Sequence, residues 1–386
     1  MNIRRWVLRP PVIALFILAA VAFVPVLAQQ QGQKVDKKAE KAQAFDIQSV
    51  VRAADAALAG QPAADISMSF KSDSLKAQEG KTYVPFTVSF EQAQAPAGKA
   101  LTMFVRVVNK ALAASAPAAD AKKDSKDAKG KSLHPEYVYQ DASFITLTPP
   151  ATPATPATPA TPATAATPAT AATPVEPYRI SRAFAVAAGE YDVYVTLQER
   201  LPVETKDREK LPLKTGVLKQ SLTVPNYWSG ELSTSTVILA DKVEPLSQPL
   251  TPREQLEQPY TFGQTQIVPA MKNTFTKKSE LSVVFLIYNT GLDAEKKPDV
   301  TVDYSFYQKV STAENGEQFF NKTNPQVFSA KTLPPQFDPA LGHQLVAGQS
   351  LPLGSFPDGE YRLEIKISDK LSGKTITHKV QFFVTT

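Results

Sequence analysis

Few residues in this chain stand at spacings that do chemistry. Two triplets, Gly80-Lys81-Thr82 and Gly373-Lys374-Thr375, match the end of a phosphate-binding loop, whose lysine reaches nucleotide phosphates. Such a loop also needs a glycine five residues ahead of the Gly-Lys pair and a helix after it. Those positions are Leu75 and Ser368, and strand-like residues follow both triplets. Each triplet therefore reads as a plain turn. Gly348-Gln349-Ser350 begins like a nucleophile elbow, but position 352 is proline where the second glycine belongs. His134, His343 and His378 are widely separated and lack ligand spacing, and Asp120, Asp124 and Asp127 lack calcium-loop spacing. No catalytic residue, cofactor-binding residue, metal ligand or cofactor is expected. Carboxylates on distant strands are the one route to catalysis that spacing does not test. Glu190 and Glu360 stand in matching turns, where solvent exposure is the plainer reading. Two aromatic pairs, Tyr227-Trp228 and Phe319-Phe320, could anchor a protein or a sugar, or simply pack. Tyr227 and Trp228 are taken as the candidate partner-binding residues. Asn321-Lys322-Thr323 fits the N-glycosylation triplet.

Composition narrows the chemistry further. The 386 residues hold no cysteine, so thiolate catalysis, disulfides, cysteine-ligated zinc and iron–sulfur clusters are out. Length favours two or three domains. The first 28 residues read as an export signal: Arg4, Arg5 and Arg9 precede an apolar run, Val12 to Val24, and Pro25 leads to a cleavage site after Ala28. The run is too short to span a membrane. An uncleaved anchor is the rival reading, and the absence of a following cysteine excludes lipoprotein anchoring there. Three of the 42 basic residues lie in this leader, leaving 39 against 37 acids, so no nucleic-acid partner is expected. No transmembrane span is expected after cleavage.

The elements that must position these residues are mostly strands. Residues 29–44 are rich in Gln, Lys and Ala and are expected to be disordered. A helix is expected over 44–59, with Ile47, Val51, Ala54 and Leu58 on one face and Gly60 closing it. Beyond Ile66 the period becomes two, with strand patterns at Tyr83–Phe90, Leu101–Val108, Tyr137–Leu147, Ile180–Val186, Tyr191–Leu197, Val217–Val224 and Thr234–Leu239. After these come Tyr260–Val268, Leu281–Tyr288, Val300–Tyr307, Gln344–Leu353, Tyr361–Ile367 and Ile376–Val384. Two low-complexity tracts interrupt the first half, over 110–132 (Ala, Lys, Asp) and 149–176 (an Ala-Thr-Pro repeat), and both read as disordered insertions. The stretch 245–259, with four prolines, is expected to link domain 1 (45–244) to domain 2 (260–386).

Self-similarity is the most informative pattern. Ala188-Gly-Glu-Tyr-Asp-Val-Tyr-Val-Thr-Leu-Gln-Glu-Arg-Leu201 aligns without gaps to Asp358-Gly-Glu-Tyr-Arg-Leu-Glu-Ile-Lys-Ile-Ser-Asp-Lys-Leu371. Val186 and Phe356 precede them, giving apolar-x-x-Gly-x-Tyr twice. This resembles the tyrosine corner of immunoglobulin-like and fibronectin type III-like sandwiches, where the tyrosine opening strand F hydrogen-bonds back to the backbone. The resemblance covers about 40 residues per copy and implies an all-β chain of two immunoglobulin-like β-sandwiches in tandem. The order of elements is also similar to β-sandwich modules of exported bacterial proteins, some of which accompany a domain named for a Gly-Trp-x-Thr-Asp motif. That motif is absent here, as is the antibody Cys…Trp…Cys pattern.

These readings lead to a non-enzymatic binding, adhesion or scaffold protein of the bacterial periplasm or exterior. It would contact an envelope or extracellular protein. A carbohydrate- or cell-wall-binding module with exposed coplanar aromatics is the alternative. A hydrolase accessory region, or a hydrolase using carboxylates alone, is the third reading.

Overall fold

The computed structural model describes residues 37–115, 134–148, 176–310 and 316–386. The leader with its cleavage site after Ala28 lies outside them, as do the acidic-basic tract from Asp120 to Lys131 and the Ala-Thr-Pro repeat. The chain is mostly β and divides into two compact units, each an immunoglobulin-like β-sandwich. One holds the described residues up to Ser72 together with Phe86–Pro225; the other holds Asp73–Pro85 and Asn226–Thr386.

The N-terminal unit begins with α1 (Lys37–Leu58), followed by β1 (Ser69–Ser72). After β2 (Leu75–Lys76), which belongs to the other unit, β3 (Thr82–Phe90) enters at Phe86. Then come β4 (Ala100–Asn109), a short helix α2 (Lys110–Ser115), β5 (Tyr137–Thr146), β6 (Tyr178–Val186), β7 (Gly189–Glu199) and β8 (Thr215–Val224). β1 and β6 flank β3 in one sheet, and the other runs β5-β4-β7-β8. Tyr139 of β5 meets Phe184 of β6 at 5.9 Å between ring centres, joining the two sheets.

Every interior residue of β4 is buried, on both faces of its sheet. Alternation alone would leave one face wet. The second face is covered by α1, whose Val50 and Ala54 pack on Phe104. Ala42, Asp46, Val50 and Ala54 form the buried stripe, at a spacing of one helical turn. The helix therefore starts earlier than the expected 44–59: residues 37–44, expected to be disordered, are its first two turns. Lysine, alanine, glutamate and glutamine there are all good helix formers. It is also rotated relative to expectation, leaving Ile47 exposed. The reason is charge. Asp46 accepts from Arg208 Nη1 at 3.0 Å and Arg200 Nε at 3.3 Å, and Asp55 accepts from Arg106 Nη1 at 2.5 Å. Burial holds the Asp46 carboxyl above its ordinary pKa, outweighing both guanidinium groups. Gly60 closes the helix as expected: it adopts φ +84°, and Gln61 N–H returns to the Ala56 carbonyl at 2.8 Å.

The C-terminal unit contains β9 (Ser233–Thr234), β10 (Ile238–Pro245), α3 (Pro252–Glu257), β11 (Thr261–Phe262), β12 (Thr265–Pro269) and β13 (Thr274–Thr276). It continues with β14 (Glu280–Tyr288), β15 (Val300–Lys309), β16 (Glu317–Lys322), β17 (Gln326–Phe328), β18 (Leu345–Pro352), β19 (Gly359–Asp369) and β20 (Thr375–Thr385). One sheet runs β11-β12-β10-β14-β18; the other runs β13-β20-β19-β15-β16, with β17 also on β15. Alternate residues of β14, β15 and β19 fill the core between them, including Phe285, Tyr304, Leu363 and Ile365.

The division between units falls elsewhere than in the 245–259 stretch. β10 pairs with β14 and β12, which ties residues 238–245 to the C-terminal sheet. Within 245–259, Thr251 caps α3 in a reciprocal bond pair with Glu254. The unit also recruits Asp73–Pro85. Leu75 packs with Tyr227, Leu286 and Tyr288 on the outer face of β14, and Tyr260 donates to Asp73 Oδ2 at 2.9 Å.

Both tyrosine corners are formed. Tyr191 donates to the Ala187 carbonyl at 3.0 Å, and Tyr361 to the Pro357 carbonyl at 2.8 Å. The glycine two residues earlier adopts φ +157° in one unit and +152° in the other, where a side chain is rarely found.

Candidate functional site

Four loops meet at one end of the C-terminal unit: residues 226–232, 289–299, 329–344 and 370–374. A buried carboxylate organises two of them. Asp369, ending β19, accepts from Gly291 N at 2.7 Å, Leu371 N at 3.1 Å and Ser372 Oγ at 2.6 Å. Gly291 is needed for this approach, because a Cβ there would lie 2.9 Å from Leu371 Cβ. Asn289 fixes a third loop, its side-chain amide donating to the carbonyls of Tyr227 at 3.0 Å and Glu231 at 2.9 Å. Lys297 secures the fourth, its ammonium meeting the carbonyls of Pro335 at 2.7 Å and Phe337 at 2.5 Å. Backbone polar groups that loops usually give to water are here bonded to side chains, so the loops hold one shape.

These loops expose apolar side chains and carry ion pairs. Trp228 is 46% exposed, Leu292 44% and Leu371 46%. Lys374 pairs with Glu231 at 2.6 Å and Lys370 with Asp299 at 3.1 Å. The Trp228 ring is anchored by its Nε1–H to the Lys81 carbonyl at 3.1 Å, and the Lys76 ammonium stands 4.5 Å from its centre. Burial lowers the Lys76 pKa, while Asn289 Oδ1 accepts from its Nζ at 2.9 Å.

The structure separates the two candidate partner-binding residues. Trp228 lies on this surface. Tyr227 is buried, packed at a tilt against Tyr288 with 5.2 Å between ring centres and donating to the Ser74 carbonyl at 3.1 Å. Desolvation holds the phenols of both tyrosines above their ordinary pKa. Tyr227 is thus a packing residue that braces the loop carrying its neighbour. Leu292 and Leu371 give no signal in the sequence, since lone leucines in polar loops carry no pattern. The usable signal was Asp369 followed by a turn at Gly373, which marks a side chain set to bond a loop backbone.

The remaining sequence candidates fall apart in space or into ordinary roles. Gly80 and Gly373 occupy turns at φ +72° and +71°. Gly348-Gln349-Ser350 lies within β18, where Ser350 bonds Ser282 at 2.8 Å. His134 meets Glu136 at 2.9 Å, His343 accepts from Asp338 N at 2.9 Å, and His378 meets Thr234 Oγ1 at 2.7 Å. Among the described residues, no group of three or more acids and histidines is placed to hold a metal. Glu190 is exposed, and Glu360 accepts from Lys309 at 3.0 Å. Phe320 enters the core against Phe356, whereas Phe319 stays 54% exposed, edge-on to Tyr307 at 82°. No helix among the described residues is long and apolar enough to cross a membrane.

No protein-family model matches the chain, and no curated protein matches it. Among solved structures, the chain is similar to the native conformation of E. coli alpha-2-macroglobulin, at 13% identity and a TM-score of 0.17. The match covers 82% of this chain and 16% of that one.

Proposed function

We propose that this is a non-enzymatic, exported binding or scaffold protein that holds a protein partner at the loop end of its C-terminal sandwich. The observation that carries this reading is the buttressing of exposed Trp228, Leu292 and Leu371 by Asp369 and Asn289. Pre-ordered loops lose little entropy on binding, and exposed apolar side chains on such loops are what a protein-binding patch needs. The glycan alternative would rest on Trp228, because Phe319 stands edge-on to its aromatic neighbour instead of forming a platform. One approach to the Trp228 ring already holds the Lys76 ammonium, which further favours a protein.

The test is affinity capture from a detergent extract of the cell envelope, with wild-type protein and the Leu292→Asp/Leu371→Asp variant as baits. A saturable protein that the variant retains at least about tenfold more weakly supports the reading. Equal retention by both baits, or enrichment of glycan in place of protein, overturns it.

A further inference from the structure

β16 is the end strand of its sheet, paired with β15 on one side only among the described residues. Its sequence is Glu317-Gln-Phe-Phe-Asn-Lys322. Read in the two directions of an antiparallel pair, it is chemically self-complementary: an acid meets a base, an amide meets an amide, and a phenylalanine meets a phenylalanine.

Complementary order means nothing unless the paired side chains share a face, and here a bulge makes the Glu317–Lys322 and Gln318–Asn321 pairs do so, while Phe320 turns inward and leaves Phe319 alone at the centre of the outer face. Across the β15–β16 ladder, Lys309 is opposite Glu317, Tyr307 opposite Phe319 and Ser305 opposite Lys322. Directly opposite residues lie on one face, so Glu317, Phe319 and Lys322 share the face of Tyr307. Gln318 is opposite Gln308 and Asn321 opposite Phe306, on the other face. Strict alternation would place Glu317 and Lys322 on opposite faces. The irregularity between Phe306 and Tyr307 shifts the ladder by one residue, and the extra residue, Phe320, turns its ring into the core at 4.7 Å from Phe356.

We propose that β16 is a self-association edge whose occupant is β16 of a second copy of this chain. The two strands run antiparallel about a two-fold axis between Phe319 and Phe320. Glu317 of each copy meets Lys322 of the other on the outer face, Gln318 meets Asn321 on the opposite face, and the Phe319 rings close over the axis. The Arg362 guanidinium, bonded to Glu317 at 2.8 Å, holds that carboxylate in place before the copies meet. Edge strands are usually guarded against such pairing by charged side chains or by proline. Here Glu317, already paired with Arg362, would face Lys322 of a second copy, and the exposed phenylalanine lies between them. Six residues bury little area, so the dimer is weak and depends on concentration. It does not use the loop end, and partner capture there neither requires nor excludes it.

Sedimentation velocity over a wide concentration range tests this on the purified protein. The wild type should pass from monomer to dimer, and Phe319→Asp should stay monomeric with an unchanged thermal transition. Glu317→Lys and Lys322→Glu, each alone, should weaken the dimer by roughly tenfold, since each places like charges opposite one another twice. An equimolar mixture of these two variants should recover dimer, because both contacts in the mixed pair are again of opposite sign. A wild type that stays monomeric, a Phe319→Asp variant that still dimerises, or a mixture that fails to recover dimer overturns the proposal.

Discussion

The Tyr361 hydroxyl donates to the carbonyl of Pro357, four residues behind it, at 2.8 Å, closing the corner that starts β19. The ring lies in the core among Phe320, Phe356 and Phe382. Tyr361→Phe keeps that packing and leaves a carbonyl without its donor. It should cost about 1–2 kcal/mol in unfolding free energy, read by urea denaturation. Tyr191→Phe should do the same in the N-terminal unit, through the Ala187 carbonyl.

The docking of α1 depends on buried charge. Removing the carboxylate by Asp46→Ala strands the buried Arg208 guanidinium, and loss of one partner from such a pair costs about 3–5 kcal/mol. The N-terminal transition should move to markedly lower urea. Amide hydrogen exchange along α1 should accelerate more than exchange in β19 or β20.

His378 gives the C-terminal unit a pH dependence of known sign. Burial lowers its pKa from the usual 6.5, so the folded state favours the neutral ring that meets Thr234 Oγ1 at 2.7 Å. As pH falls, the unfolded chain takes up its proton first. Its contribution to stability is therefore complete above about 6.5 and declines as pH drops toward the lower folded value. Thermal melts of His378→Gln, compared with wild type across this window, should show a shallower loss.

Gly216, on β8, lies where the chain after α1 crosses. A Cβ built there would stand 2.2 Å from the Ile66 carbonyl oxygen. Gly216→Ala must push the Ala64–Ile66 segment away and break its bridge to β8. The expected cost is about 1–3 kcal/mol, measured as a lowered Tm of the N-terminal unit.

What the sequence made legible were the interactions built from near neighbours in the chain. The Gly189 and Gly359 turns, the tyrosines after them, and strands β7, β8, β19 and β20 all follow from local pattern. The helix face was misread because hydrophobicity ranks Ile47 above Asp46. Only the distant Arg208 makes the aspartate a core residue. The division between units was obscured by Pro245, which looks like punctuation yet ends β10, where it is paired with Thr265. Nothing local shows that Asp73 will meet Tyr260, a pairing across 187 residues of the chain. At the loop end, the exposed Trp228 was legible as a residue type. Leu292 and Leu371 acquire meaning only once Asp369 brings their loops together.

The assignment of Asp73–Pro85 to the C-terminal unit has a consequence for synthesis. A chain emerging from the ribosome presents Leu75 and Tyr83 long before Tyr227, Leu286 or Tyr288 exists to cover them. At about 5–20 residues per second, that interval is on the order of ten seconds. The N-terminal sandwich must then finish around a tip whose partners have not been translated. A chain released just past Pro225 would hold one nearly complete sandwich with an orphaned apolar segment, the natural target for a chaperone. A gene cut at the same point would likewise leave the downstream product without part of its own outer layer.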